Sequence, residues 1–181
     1  MKIRIFLLFF PLIVFGQNET YDLKDQIGLV KDLMPDVKVI GVIIGEQDES
    51  LFNVVVNTSQ QDYGIRIVKA IVKKSSTRNL RTLRNLYKKC TLDMLNENAG
   101  AILFAFGKDR SIQTTIAIKT VTETAQKSRV PTFTPHKKSL KMGCCGQFIF
   151  NDDWWKLKLN SDKLLPNSIE MPLGDDRYLV Q

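Results

Sequence analysis

Residues 25–44 read DQIGLVKDLMPDVKVIGVII, and two different periodicities meet inside them. Leu23, Ile27, Val30 and Met34 fall on one stripe of a helix spanning Tyr21 to Met34, which Pro35 stops. Val37–Ile44 (VKVIGVII) follows at once, β-branched and nearly all apolar. A strand that alternated with polar residues would have one wet face; a run without alternation fits a strand covered on both faces, as in a parallel sheet. Gly45 breaks the run.

The same alternation of helix and strand continues outward. Ser50 is placed to cap a helix running to about Gln61, and Gly64 to end it in the left-handed conformation. Ile65–Val72 is the second strand. Thr77 or Asn79 opens a helix with Leu80, Leu83, Tyr87, Cys90 and Met94 on one face and Arg78, Arg81, Arg84, Lys88 and Lys89 on the outside. Ala99–Phe106 (AGAILFAF) is the third strand, ended by Gly107. Ile112, Ile116, Val121 and Ala125 mark a further helix, and Val130–Phe133 and Gln147–Phe150 give strands four and five. Strands alternating with helices at this pace predict a three-layer α/β/α domain of Rossmann or flavodoxin-like type. Its sheet is expected to be five-stranded and mostly parallel, in the order 2-1-3-4-5. Trp155, Leu157 and Leu159 alternate with lysines, which fits either an antiparallel edge strand or a short amphipathic helix starting at Asp152. Of residues 161–181, only Ser168–Met171 and Tyr178–Val180 are extended enough to pair.

The first sixteen residues have the layout of a secretory signal: Lys2 and Arg4, an apolar run from Ile5 to Phe15, then Val14 and Gly16 before a cut ahead of Gln17. The run is too short for a membrane helix, and there is no cysteine at the cut to take a lipid. Residues 17–181 are then a single domain, exported to the periplasm and without stable membrane insertion. The chain carries +7, of which Lys2 and Arg4 supply two, so the remaining basic excess decides little about partners. Nucleic acid is not expected to be among them.

Three cysteines are too few for a disulfide framework. Cys90 lies on the buried stripe of its helix, which is expected on the far side of the sheet from Cys144 and Cys145. A free thiol is therefore favoured over a bridge. No phosphate-loop or dinucleotide spacing and no nucleophile elbow occurs. No cofactor, metal or catalytic residue is expected: His136 is the sole histidine, and neighbouring carboxylates such as Asp152 and Asp153 suit turns better than acid–base work.

Ligands of open parallel sheets sit beyond the carboxyl ends of the strands, near the switch in strand order. The loops gathered there supply the candidate ligand-binding residues: Gly45 and Glu46; Gly107, Lys108, Asp109, Arg110 and Ser111; and His136. In the second loop Gly107 lets backbone approach a ligand. A helix starting near Ser111 would aim free N–H groups at an anion, with Lys108 and Arg110 adding charge. Alternatively, Asp109 or Ser111 simply caps that helix.

These segments resemble one lobe of the substrate-binding proteins of bacterial ABC transporters. Residues 25–44 are similar to the family's helix, proline break and strand; Ala99–Phe106 to the strand after its second helix; Val130–Phe133, with Pro131, to its "iPvf" strand; and Gly146–Trp155 to the stretch that follows. The resemblance implies a non-enzymatic binding or sensor module for a small, anionic ligand or an inner-membrane protein partner, with a homodimer as one arrangement. Family members have two lobes around the ligand, and this chain has room for one. The C-terminal part, GCCGQFIFNDDWWKLKLN, also resembles YfiR-like periplasmic regulators of membrane signalling proteins. A flavodoxin-like enzyme is the third reading.

Overall fold

Strand β1, Val39–Gly45, is buried along nearly its whole length. Ile40, Val42 and Ile44 enter one apolar cluster and Ile43 the other, the double coverage that VKVIGVII predicts. The structure, a computed structural model, describes residues 18–73, 79–105, 114–151, 154–164, 167, 169, 170, 172 and 174–181. Around β1 the chain runs α1 (Asn18–Leu33), β1, a 3-10 turn (Glu46–Asp48), α2 (Glu49–Tyr63), β2 (Arg66–Val72), α3 (Leu80–Asn96), β3 (Ala101–Phe104) and α4 (Thr115–Gln126). It continues with β4 (Thr132–Thr134), a second 3-10 turn (Leu140–Met142), β5 (Gly146–Asn151), β6 (Trp154–Leu159), α5 (Ser161–Leu164) and β7 (Tyr178–Val180).

The sheet order is β2-β1-β3-β4-β5-β6-β7. Strands β1 to β5 are parallel, β6 is antiparallel to β5, and β7 runs parallel to β6. The expected order 2-1-3-4-5 is thus present and extended by two strands, so β7 and not β6 forms the C-terminal edge. The winding direction reverses after β2, which sends helices to both faces. Leu23, Ile27 and Val30 of α1 and Phe52 and Val55 of α2 pack on one face. Tyr87 and Met94 of α3 and Ile118 and Val121 of α4 pack on the other.

Local chemistry accounts for the element ends. Gly64 takes φ +62° and its N–H bonds to the Gln60 carbonyl, closing α2 where a side chain would be strained. Asn79 caps α3, its Oδ1 accepting from Arg81 N at 2.9 Å and Thr82 N at 3.3 Å. Gly41 gives α3 its close approach: a Cβ there would lie 2.7 Å from Met94 Sδ. The tail is tied to α1, because Tyr178 Oη donates to the Leu29 carbonyl at 2.9 Å and Arg177 reaches Asp32 at 2.6 Å.

Three expectations need correction, and one open alternative is decided. Ser50 lies inside α2, and the cap position belongs to Asp48, which is buried at the end of the 3-10 turn. Leu80 is 55% exposed; the buried stripe of α3 runs through Tyr87, Thr91 and Met94. Helical spacing identifies a stripe but not which of its turns reach the sheet. For the segment containing Trp155, Leu157 and Leu159 the antiparallel strand holds and the helix does not, with these three buried opposite Phe150, Phe148 and Gly146; pairing with β5 satisfies a backbone that a short helix would leave half-bonded at both ends. Finally, the three thiols are free, but Cys144 shares the α3/α4 face with half-buried Cys90, and only Cys145 lies on the other. Adjacent residues entering a strand point to opposite faces.

Candidate ligand-binding site

The carboxyl ends of β1, β3 and β4 lie side by side, with β3 in the middle. Neighbouring strands are about 4.8 Å apart, so the loops after β1 and β4 flank the loop after β3 at a separation of roughly 10 Å. This is where the winding direction reverses, because β1 leads to β2 on one side and β3 leads to β4 on the other.

On the β1 side, Gly45 ends the strand with φ −78° and ψ 153°, an extended conformation. That conformation is open to any residue, so the backbone there does not require a glycine. Glu46 is exposed and pairs with Lys73, just past the end of β2, at 3.2 Å. Glu49 and Asn53 in the first turns of α2 hold Lys69 at 3.0 and 3.2 Å. Lys69 within β2 and Lys73 just past it are thus engaged by α2 and its lead-in turn. Asp48, whose burial spacing alone did not reveal, is only 6% exposed. The signal for it was available: it stands directly before the helix, where a carboxylate meets the positive end of the dipole.

On the β4 side, Thr134 is fully buried and its Oγ1 accepts from His136 N–H at 3.2 Å. His136 Nδ1 in turn accepts from Lys138 N–H at 3.1 Å. This fixes the ring as an acceptor at Nδ1 and leaves the Nε2 edge on a half-buried side chain. Ser139 is buried with its hydroxyl unbonded, so the two do not form a nucleophile pair.

Gly107, Lys108, Asp109, Arg110 and Ser111 lie outside the described residues, as do Asp152 and Asp153. The helix expected near Ser111 opens at Thr115, and its cap is Thr114, whose Oγ1 accepts from Ala117 N–H at 3.2 Å. A threonine at that point already satisfies one of the free N–H groups assigned to an anion. Of the expected site residues, the structure therefore places Gly45 and Glu46 at and just past the end of β1 and His136 just past the end of β4, the two strands that flank β3.

Residues 11–152 match the family model described as ABC transporter substrate binding protein. The chain belongs to that family. The match ends between β5 and β6, so β6, α5 and β7 lie beyond it. No curated protein matches the chain. Among solved structures it is similar to a ligand-free, open substrate-binding protein with adhesive properties from Clostridium difficile (TM-score 0.62, 12% identity, 86% of this chain and 58% of that one). It is also similar to an ABC domain in complex with L-Trp from Streptococcus pneumonia (TM-score 0.60, 14% identity, 83% and 58%). A third is a conserved domain protein from Vibrio cholerae (TM-score 0.59, 16% identity, 83% and 56%). At these identities the likeness is one of fold. The substrate-binding-family chain spans under three-fifths of the length of each.

Proposed function

We propose that this chain is an exported, non-enzymatic binding module that takes a small anionic ligand at the mouth formed by the loops after β1, β3 and β4. The observation that carries the reading is the family match over residues 11–152, which makes ligand binding the working chemistry. The place follows from topology, because the reversal of winding opens a crevice at those strand ends. Gly45 and Glu46 line it from one side and His136 from the other. Gly107, Lys108, Asp109, Arg110 and Ser111 supply the middle loop, with Lys108 and Arg110 as the charges that favour an anion. One structural neighbour was solved with L-Trp, so amino acids head the set of ligands to try.

The test is a thermal-shift and calorimetric screen of the purified chain against amino acids, small carboxylates, phosphates and sugars. A hit should raise the melting temperature, and its binding should weaken at least about ten-fold, ~1.4 kcal/mol, in a Lys108→Ala/Arg110→Ala chain. A ligand that binds the variant equally well would move the site elsewhere, and silence across all classes would remove the function. Export by residues 1–16 has its own check: the mature protein recovered from outside the cytoplasm should begin at Gln17 by mass spectrometry. A retained Met1 overturns it.

A further inference from the structure

Helices α3 and α4 lie side by side and leave a groove of about 740 Å³ along the outer face of the molecule. Four cations line it, Arg84 and Lys88 from α3 and Lys119 and Lys127 from α4, against the single carboxylate of Glu123. All four are exposed. Lys119 has a long contact to Glu123, 3.8 Å. Arg84, Lys88 and Lys127 pair with no carboxylate among the described residues.

The pattern within α3 is informative. Lys89, one position from Lys88 but outside the groove, has Asp93 four residues on and bonds it at 2.7 Å. Arg84 has Lys88 at that spacing, and Lys88 has Leu92. A cation followed by a cation one turn later works against the helix, whereas a cation with a carboxylate there supports it. The pair Arg84 and Lys88 lies on the side that faces α4, where Lys119 and Lys127 add to the same field. Clustered charge of one sign in a concave setting concentrates counter-charge from solution.

The geometry points to a docking site for an acidic segment of a partner protein, held along the α3/α4 groove. The groove is lined along the whole of α4, from Thr115 to Lys127. A helix of that length extends about 18 Å, which an extended chain of about six residues spans. A membrane surface fits less well. A flat headgroup layer meets protruding faces, whereas these cations line a groove, and the lining has no aromatic residue to anchor in the interface. This site shares no residue with the strand-end mouth, so the two stand or fall separately.

The experiment uses the full chain and a fluorescent peptide of alternating Asp and Glu residues, read by anisotropy at low salt. Anionic phosphatidylglycerol vesicles form a parallel arm. The peptide should bind, and Arg84→Glu/Lys88→Glu/Lys119→Glu/Lys127→Glu should weaken it at least about ten-fold, ~1.4 kcal/mol. The corresponding lysine-to-arginine chain, Lys88→Arg/Lys119→Arg/Lys127→Arg, should retain binding. Lys156→Glu/Lys158→Glu in β6, on another part of the surface, controls for charge alone and should change binding less than two-fold. All variants alter exposed or half-exposed positions, and circular dichroism confirms their fold. Equal loss in the groove and control chains would reduce the site to general charge. Failure of the peptide to bind, or binding to vesicles alone, would overturn the assignment.

Discussion

Cys144 and Cys145 are chain neighbours that face opposite sides of the sheet. Cys144 Sγ lies 3.2 Å from Thr122 Oγ1 under α4, whereas Cys145 Sγ contacts Asn167 Nδ2 at 3.2 Å beneath the tail. Burial raises both thiols, Cys145 to about 12. At neutral pH neither supplies much thiolate, the reactive form. Cys90 is also raised by burial but is half-exposed. Iodoacetamide at pH 8 should therefore add one group to the folded protein, at Cys90, and three after unfolding in guanidinium, as read by peptide mass. Early labelling of Cys144 or Cys145 would contradict their packing.

Tyr178 gives a pH dependence. Burial raises its phenol from 10.0 to about 12. Because the folded value exceeds the unfolded one, the stabilisation is fully present below pH 10 and is lost as pH rises towards 12. Urea melts at pH 8 and at pH 11 should show a drop in stability for the natural chain and a smaller one for Tyr178→Phe. Tyr63, also raised by burial, keeps the variant from being flat. At pH 8 the loss of the bond to the Leu29 carbonyl should cost Tyr178→Phe about 1 kcal/mol.

Two buried glycines should respond differently to a methyl group. At Gly146 a Cβ would lie 2.7 Å from Phe133 Cδ1 and 2.8 Å from Leu157 Cδ1, both in the core. At Gly41 the obstacle is the thioether of Met94, a side chain with several torsions to rearrange. Gly146→Ala should lose about 1–3 kcal/mol in denaturant melts. Gly41→Ala should lose less, and the reverse order would show that α3 is packed more rigidly on the sheet than the barrier between β4 and β6.

Helix ends offer a third comparison. Asn79→Ala removes the acceptor for two N–H groups of α3 and should cost about 1 kcal/mol, with Asn79→Asp close to the natural chain. Gly64→Ala, at φ +62°, should cost roughly 1 kcal/mol through backbone strain, since a Cβ there meets no atom within 4 Å. Thermal melts decide both.

The parts of the fold that were legible in the sequence are those where one residue or one period carries the whole signal. Pro35, Gly64 and Asn79 act through their own backbone or side chain, and VKVIGVII through its missing polar face. The hairpin was ambiguous because Trp155, Leu157 and Leu159 sit at a spacing of two over only five residues, too short to exclude a helix. Leu80 misled because amphipathic spacing is blind to where a helix meets its sheet. Strand order was legible enough to bring the ends of β1, β3 and β4 together, while the pairing of Glu46 with Lys73 depends on β2 lying beside β1 and cannot be seen from positions 46 and 73 alone. The α3/α4 groove was invisible for the same reason: half of its cations come from a helix that starts at Thr115, far along the chain from Leu80 where α3 starts.

The bond from Tyr178 to Leu29 spans 149 positions, and it sets an order of events during synthesis. A ribosome delivers α1 among the first described elements, yet the side chain that fastens it arrives only with β7. Until then the sheet can assemble around β1, β2 and β3 while the leading helix remains without its last tether. Contacts between distant positions form slowly because the intervening chain must first be ordered. The leading helix therefore packs on the sheet through Leu23, Ile27 and Val30 before it is fastened, and β7 acts as a clasp closed over an element laid down far earlier in the chain.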